Sequence, residues 1–145
     1  NIGNAGDYCL MRIEEMYFIE MEAKASLNLA EGVKLMRDFV KTYRYKSYDR
    51  NPQTWEDFES EYMLQRRIEF WGEGLLFYDY KRLNVGINRA FAGSNHPSVF
   101  RLAATDGRSP QWNIVVTRAE FQSNTAIKDA TNNPDPSGKV PMAAE

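Results

Sequence analysis

The stretch "LMRIEEMYFIEMEAKASLNLAEGVKLMRDFV" (Leu10 to Val40) decides the fold class, because its apolar residues recur at helical spacing. A first helix is predicted from Asp7 to Leu29, with Asp7 placed to cap its start. One apolar stripe of this helix comprises Leu10, Ile13, Tyr17, Met21 and Ala25. A second stripe comprises Met16, Ile19 and Ala23. Two apolar faces predict a helix that packs on both sides, as in a layered helical array.

A second helix is predicted from Glu31 to Tyr45, after a turn within "LNLAEG" (Leu27 to Gly32). Its inner side comprises Val33, Met36, Phe39, Val40 and Tyr43. Two helices of this length with a short connection predict an αα-hairpin, the unit that helical-repeat proteins stack. One hairpin does not establish a repeat, and we expect it to leave apolar surface that needs a neighbour.

The segment "YKSYDRNPQT" (Tyr45 to Thr54) is rich in turn-forming residues and predicts a connector. Pro52 disfavours helical backbone at Asn51, and Thr54 is expected to cap a third helix. That helix runs into "RRIEFWGEGLLFYDYKRL" (Arg66 to Leu83).

Two glycines interrupt this long helix. Gly72 and Gly74 each cost about 1 kcal/mol relative to alanine in a helix interior. A kink or break is therefore expected between them, followed by a shorter helix that ends near Leu83.

Beyond Asn84 the helical periodicity fades, which predicts a loop-rich C-terminal part. Two apolar runs, "SVFRLAA" (98–104) and "WNIVVT" (112–117), predict brief extended pieces. In "TRAEF" (117–121) a helical turn is expected, with Thr117 and Glu120 as a capping box. The chain is thus predicted to be mainly α, a single domain (1–145) with a helical part (7–83) and a loop-rich part (84–145).

Composition excludes several classes of protein. The 145 residues are 43% hydrophobic and 26% charged, with a net charge of −2, so no basic footprint for nucleic acid is present. No apolar run is long enough to span a membrane. The single cysteine, Cys9, excludes an internal disulfide framework and is expected to be a core residue. We interpret the chain as a fragment whose signal or lipid anchor was removed or lies outside it.

Glu69 and Glu73 are four residues apart on one helix side, and paired carboxylates are what glycoside hydrolysis requires. The neighbouring Arg66 and Arg67, however, would hold the pKa of each carboxyl low and make it a poor general acid. A structural charge network at the glycine corner is therefore the preferred interpretation. Asp79, which is followed by a basic pair, is assigned to the same network.

The sequence contains no recognisable cofactor motif, no metal-ligating cluster and no triad-type catalytic constellation. His96 is the only histidine, and no phosphate-cradling glycine loop is present. Loop aromatics can instead stack on sugar rings, and the exposed candidates are Tyr45, Tyr48, Phe100 and Trp112. Of these, Trp112 and Tyr48 are retained as ligand-binding candidates, with packing over the helices as the alternative.

Three segments resemble the C-terminal region of the SusD/RagB family, glycan-binding lipoproteins of Bacteroidetes outer membranes. The opening stretch (10–40) resembles an Arg-hydrophobic-x-Glu-hydrophobic-Tyr-hydrophobic segment and the helix after it. The segment "LQRRIEFWGEGLLFYDYKRLNVGINR" (64–89) resembles the family's most specific motif, Arg-Arg-x-Glu-hydrophobic-x-x-Glu-Gly, and "VVTRAEFQSNTAIKDATNNP" (115–134) resembles its closing segment. The chain departs from the family at Ile114 to Thr117, where Ile-Pro is usual, and at Met36-Arg37, where Leu-Asn is common.

The resemblance implies tetratricopeptide-like helical hairpins and a non-catalytic protein on the outer membrane. Such proteins capture oligosaccharide for a SusC-like TonB-dependent transporter, and only a lipid anchor, here outside the chain, attaches them to the membrane. In this family the ligand pocket draws largely on upstream parts, so no binding residue is transferred. Two alternatives remain open: a helical-repeat module that docks a protein partner, and a glycosidase that uses Glu69 and Glu73.

Overall fold

The computed structural model describes residues 10–97, 100–101, 103–108, 112–128 and 132–133. Within these ranges the protein is mainly helical, with five helices and one two-stranded sheet. The chain divides into two compact units, 1–73 and 74–145. Asp7 and Cys9, to which the sequence assigned a cap and a core position, lie outside the described residues.

The first unit contains three helices: α1 (Ile13–Leu27), α2 (Leu29–Tyr43) and α3 (Trp55–Glu69). The predicted αα-hairpin is confirmed, with a connection of only one residue, Asn28. The Asn28 side-chain oxygen accepts a hydrogen bond from the backbone N–H of Ala30 at 3.2 Å and so caps α2. Helix α1 begins later than predicted, because Leu10 to Arg12 are not helical.

Gly32 does not belong to a turn, as the sequence suggested, but lies inside α2 and is buried. A Cβ atom at Gly32 would come within 2.3 Å of the Ala25 Cβ and within 2.6 Å of the Ala25 Cα. Glycine here allows α1 and α2 to approach closely, which is how the hairpin closes.

The core of the first unit joins all three helices and two aromatic residues outside them. It comprises Phe18, Met21, Ala25, Val33, Met36, Phe39, Val40, Tyr48, Phe58, Tyr62, Met63 and Phe70. The predicted inner side of α2 is confirmed except for Tyr43, which is 56% exposed. The predicted apolar stripe of α1 is confirmed at Met21 and Ala25, which are buried, and is wrong at Ile13, which is 65% exposed. The buried face centres instead on Phe18, whose ring contacts those of Phe39, Tyr62 and Phe70.

The predicted interruption of the long helix is a break. Thr54 caps α3 as expected, its hydroxyl oxygen accepting from the Asp57 backbone N–H at 3.1 Å. Gly72 and Gly74 have φ values of 81° and 79°, the left-handed region that glycine adopts without strain. A helix cannot continue through such backbone, so α3 ends at Glu69 and a new helix begins at Leu75.

The second unit contains α4 (Leu75–Arg82), the strands β1 (Ile87–Asn88) and β2 (Ala103–Ala104), and α5 (Arg118–Ser123). The strands are antiparallel, and Ile87 pairs with Ala104. Of the predicted extended pieces, the end of "SVFRLAA" forms β2, and the described residues 112–117 form no strand. Helix α5 starts after Thr117 as predicted, but the Thr117 side chain makes no capping hydrogen bond, so the capping-box prediction was wrong. Within the ranges described, no helix has the length and apolar character needed to cross a membrane.

Candidate functional site

Glu69, the last residue of α3, is the centre of a charge cluster in the first unit. Its side chain is only 7% exposed. The carboxylate accepts hydrogen bonds from Arg12 Nη2 at 3.0 Å, from Arg44 Nη2 at 2.7 Å and from Arg44 Nε at 2.6 Å. Arg12 precedes α1 and Arg44 follows α2, so one carboxylate joins the ends of three helices.

Two further carboxylates lie at the rim of this cluster. Glu14 Oε1 is 3.4 Å from Arg44 Nη2, and Glu73 Oε1 is 3.1 Å from Arg12 Nε. The contact with Glu73 lacks hydrogen-bond geometry and is an ion pair only. The Glu73 side chain is 38% exposed, which weakens its pair with Arg12 by solvent screening.

The arginines determine the protonation state of Glu69. The hydrogen bonds from Arg44, supported by those from Arg12, lower the pKa of the Glu69 carboxyl, although burial opposes this. Conversely, the hydrogen bond to Glu69 raises the pKa of the Arg44 guanidinium. A carboxylate held in its ionised form is a poor proton donor, so the geometry gives no support to Glu69 as a general acid.

The two arginines of the specific motif, Arg66 and Arg67, occupy different environments. Arg66 is buried, 4% exposed, with its guanidinium carbon 5.0 Å from the centroid of the Phe70 ring and 5.8 Å from that of Phe18. Its Nη1 also donates to the Tyr62 hydroxyl at 3.5 Å. Arg67 is exposed and forms no ion pair within the described part of the chain. The structure therefore pairs Glu69 with Arg12 and Arg44, whereas the sequence had assigned it to neighbouring arginines.

Asp79, assigned by the sequence to the same network, belongs to the second unit. It is 4% exposed, and Arg82 Nε and Nη2 both lie 3.0 Å from its Oδ1. This ion pair joins residues three positions apart on α4, as expected from the two basic residues, Lys81 and Arg82, that follow Asp79. That these charged residues have a structural role remains a prediction.

Sequence reasoning missed Arg12 and Arg44 as partners of Glu69. They lie 57 and 25 positions from it, so no local spacing points to them. The one available signal was that Arg12 belongs to the first of the three segments that resemble the SusD/RagB family.

Tyr48 was expected to present an exposed ring, but it is only 6% exposed. Its hydroxyl donates to Glu61 Oε1 at 2.8 Å. The same oxygen accepts a second hydrogen bond from the Gln65 side-chain amide, also at 2.8 Å. Burial and the bond to Glu61 raise the pKa of the phenol. The ring is used in packing and has no open face for a sugar, so Tyr48 is withdrawn as a ligand-binding candidate.

Trp112 is half-buried within the second unit. Its ring centroid lies 6.0 Å from that of Phe77 and 5.8 Å from that of Tyr80. Phe77 is 47% exposed, so the aromatic group retains accessible ring surface. Tyr45 and Phe100 are exposed, at 62% and 60%, as the sequence predicted.

The described residues contain no candidate metal site. There, no group of three or more His, Cys, Asp or Glu side chains is placed to hold a metal ion. His96 contributes only backbone groups to the described hydrogen bonds: its N–H donates to the Ser94 hydroxyl, and its carbonyl accepts from Arg101.

Comparisons of the chain with models of protein families, with curated proteins and with solved structures give no match.

Proposed function

We propose that the chain is the C-terminal part of a surface glycan-binding protein of the SusD/RagB type. Such a protein captures oligosaccharide and delivers it to a SusC-like TonB-dependent transporter, without catalysis. In this proposal the protein lies at the cell outer membrane, attached by a lipid anchor.

The contacts of Arg12 carry the proposal. Arg12 belongs to the first segment that resembles the family, and Glu69 and Glu73 belong to the second. Arg12 is 3.0 Å from the Glu69 carboxylate and 3.1 Å from that of Glu73. Two segments that separately resemble the family thus supply complementary charges to one cluster, as expected if both motifs serve a common scaffold.

The scaffold is also consistent with the proposal. A one-residue connection joins two helices of equal length, and α3 packs against them through Phe58 and Tyr62. This is the tetratricopeptide-like hairpin that the resemblance implies. The motif glycines, Gly72 and Gly74, end α3 through left-handed backbone.

The test is isothermal titration of this chain and of the full-length protein against a panel of soluble bacterial and plant oligosaccharides. We expect the full-length protein to bind at least one of them. Binding by the full-length protein alone would place the pocket upstream, and absence of binding to the whole panel would overturn the proposal.

If this chain alone also binds an oligosaccharide, Trp112→Ala should weaken that binding, because Trp112 and Phe77 form an accessible aromatic group in the chain. Trp71→Ala is the matched control, since Trp71 is 84% exposed and makes no ring contact among the described residues. Equal losses in both variants would remove Trp112 as a ligand-binding candidate.

A second candidate function is a helical module that docks a protein partner. The observation that favours it is the outer face of α1, where Met16 is 45% exposed, Ile19 48% and Leu27 87%. Exposed apolar stripes on helices are common docking surfaces. If the full-length protein is monomeric and recovers no transporter, or if Ile19→Glu leaves recovery unchanged, this function is excluded.

A further inference from the structure

A groove in the first unit lies between α2 and the loop Asn51–Gln53. It encloses about 560 Å³ and is open on one side. The polar side chains that line it are Lys34, Arg37, Asp38, Lys41, Asn51 and Gln53.

The groove is positively charged in a protein whose net charge is negative. Lys34, Arg37 and Lys41 recur at steps of three and four residues and therefore share one side of α2. Asp38 is the only carboxylate among the lining residues, and it lies 2.6 Å from Lys34 Nζ. Three cations and one carboxylate leave the groove with an excess of two positive charges, whereas the chain carries a net −2.

Arg37 is the best-positioned of these cations. Its Nη1 donates to Asn51 Oδ1 at 3.0 Å, and this hydrogen bond links the helix to the loop. A guanidinium has five N–H donors, and the bond to Asn51 is the one hydrogen bond that Arg37 makes among the described residues. The others are available for a planar anion such as a carboxylate, which arginine binds in a bidentate manner.

The groove also offers neutral polar groups and an apolar floor. The Gln53 amide donates to the Asn51 carbonyl at 2.7 Å, which orients the loop and leaves the Gln53 side-chain oxygen as an acceptor for hydroxyl groups. Val33, only 4% exposed, and Pro52 line the same groove. Cations, amides and a small apolar surface together suit a saccharide that bears negative charge.

We propose that this groove binds an acidic oligosaccharide, with a uronate carboxylate on Arg37 and a second anionic group near Lys41. Lys34 and Lys41 are seven positions apart, about 10 Å along the helix axis. That span accommodates successive sugar units better than a single small ion. The inference rests on the proposed function in that the ligand is a saccharide, and it names the class of saccharide.

The test is titration of the intact protein with a short oligogalacturonate, with a neutral oligosaccharide of equal length and with sodium sulfate. We expect the oligogalacturonate to bind and sulfate to bind far more weakly. Arg37→Gln should weaken oligogalacturonate binding about tenfold or more. Raising the salt concentration from about 0.1 M to about 1 M should weaken it further, because the charges are exposed to screening.

Lys46→Gln is the matched control, because it removes one positive charge from an exposed position outside the groove. Lys41→Gln is a second groove variant with little risk to folding, since Lys41 is exposed. An equal effect of Lys46→Gln, or sulfate binding as tight as that of the oligogalacturonate, would overturn the inference.

Comparison of the acidic with the neutral oligosaccharide tests this inference separately from the proposed function. Binding of the neutral oligosaccharide alone, unaffected by Arg37→Gln, would overturn the acidic-ligand inference and leave the proposed function standing. Binding of neither oligosaccharide would overturn the acidic-ligand inference, and the proposed function would be overturned as well only if the whole panel described above also failed to bind.

Discussion

Arg12 donates through one nitrogen, Nη2, to both the carboxylate and the backbone carbonyl of Glu69, 57 positions further along the chain. The two bonds, of 3.0 and 2.7 Å, attach the residue that precedes α1 to the last residue of α3. Arg44 attaches the end of α2 to the same carboxylate. The charged residues of the motif thus join elements that are distant in sequence, and this arrangement determines what their substitution should do.

Replacing Glu69 with glutamine should destabilise the first unit by about 2–3 kcal/mol. The change removes the one carboxylate to which both arginines donate, in a site where the Glu69 side chain is 7% exposed, and leaves only the rim carboxylates Glu14 and Glu73 to balance their charge. Glu73→Gln is the control and should cost less than about 1 kcal/mol, because Glu73 is 38% exposed and makes only an ion pair. Urea unfolding measures both, and equal costs would contradict the central position of Glu69.

The stabilising effect of Glu69 should depend on pH. Its pKa in the folded protein lies below the ordinary value of about 4.3, so its contribution is complete at neutral pH. As the pH falls below about 5, the unfolded chain takes up the proton first, and stability decreases until the folded carboxyl is protonated too.

The measurement is the free energy of unfolding of the wild-type protein and of Glu69→Gln between neutral and acidic pH. We expect the difference between the two proteins to shrink as the pH falls. A difference that stays constant would show that Glu69 acts through packing instead of charge.

The adjacent arginines of the motif should differ in their contribution to stability. Arg66→Met should cost about 1–3 kcal/mol, because the Arg66 guanidinium is buried against the rings of Phe18 and Phe70. Arg67→Met, one position away on an exposed side of α3, should stay within about 0.5 kcal/mol of the wild-type protein. If both substitutions have the same effect on thermal unfolding, the burial of Arg66 has no energetic importance.

Local patterns predicted the elements of the first unit well. Thr54 before an apolar helix and Gly72 within the motif act on their immediate neighbours, so the start and the end of α3 could be predicted from the sequence. The face that α1 buries could not be predicted, because its apolar residues surround the helix and only the contacts of Phe18 select one side.

The candidate site was less predictable than the helices. Glu69 was identified from its spacing, but its partners Arg12 and Arg44 are chosen by the packing of three helices. Tyr48 illustrates the opposite error, since a loop position suggested exposure while Glu61 on α3 provides a partner that buries it.

Gly32 lies inside α2, where glycine is normally unfavourable, but its lack of a side chain allows α1 and α2 to approach closely. In a helix interior alanine is favoured over glycine by about 1 kcal/mol, and Ala23→Gly on the exposed side of α1 should show that ordinary cost. Gly32→Ala should instead destabilise the protein by about 1–3 kcal/mol. The new methyl group would lie 2.3 Å from the Ala25 Cβ and 2.6 Å from its backbone nitrogen, so α1 and α2 would have to separate. Thermal unfolding of the two variants decides the matter, and a higher melting temperature for Gly32→Ala would show that the helices do not approach each other this closely.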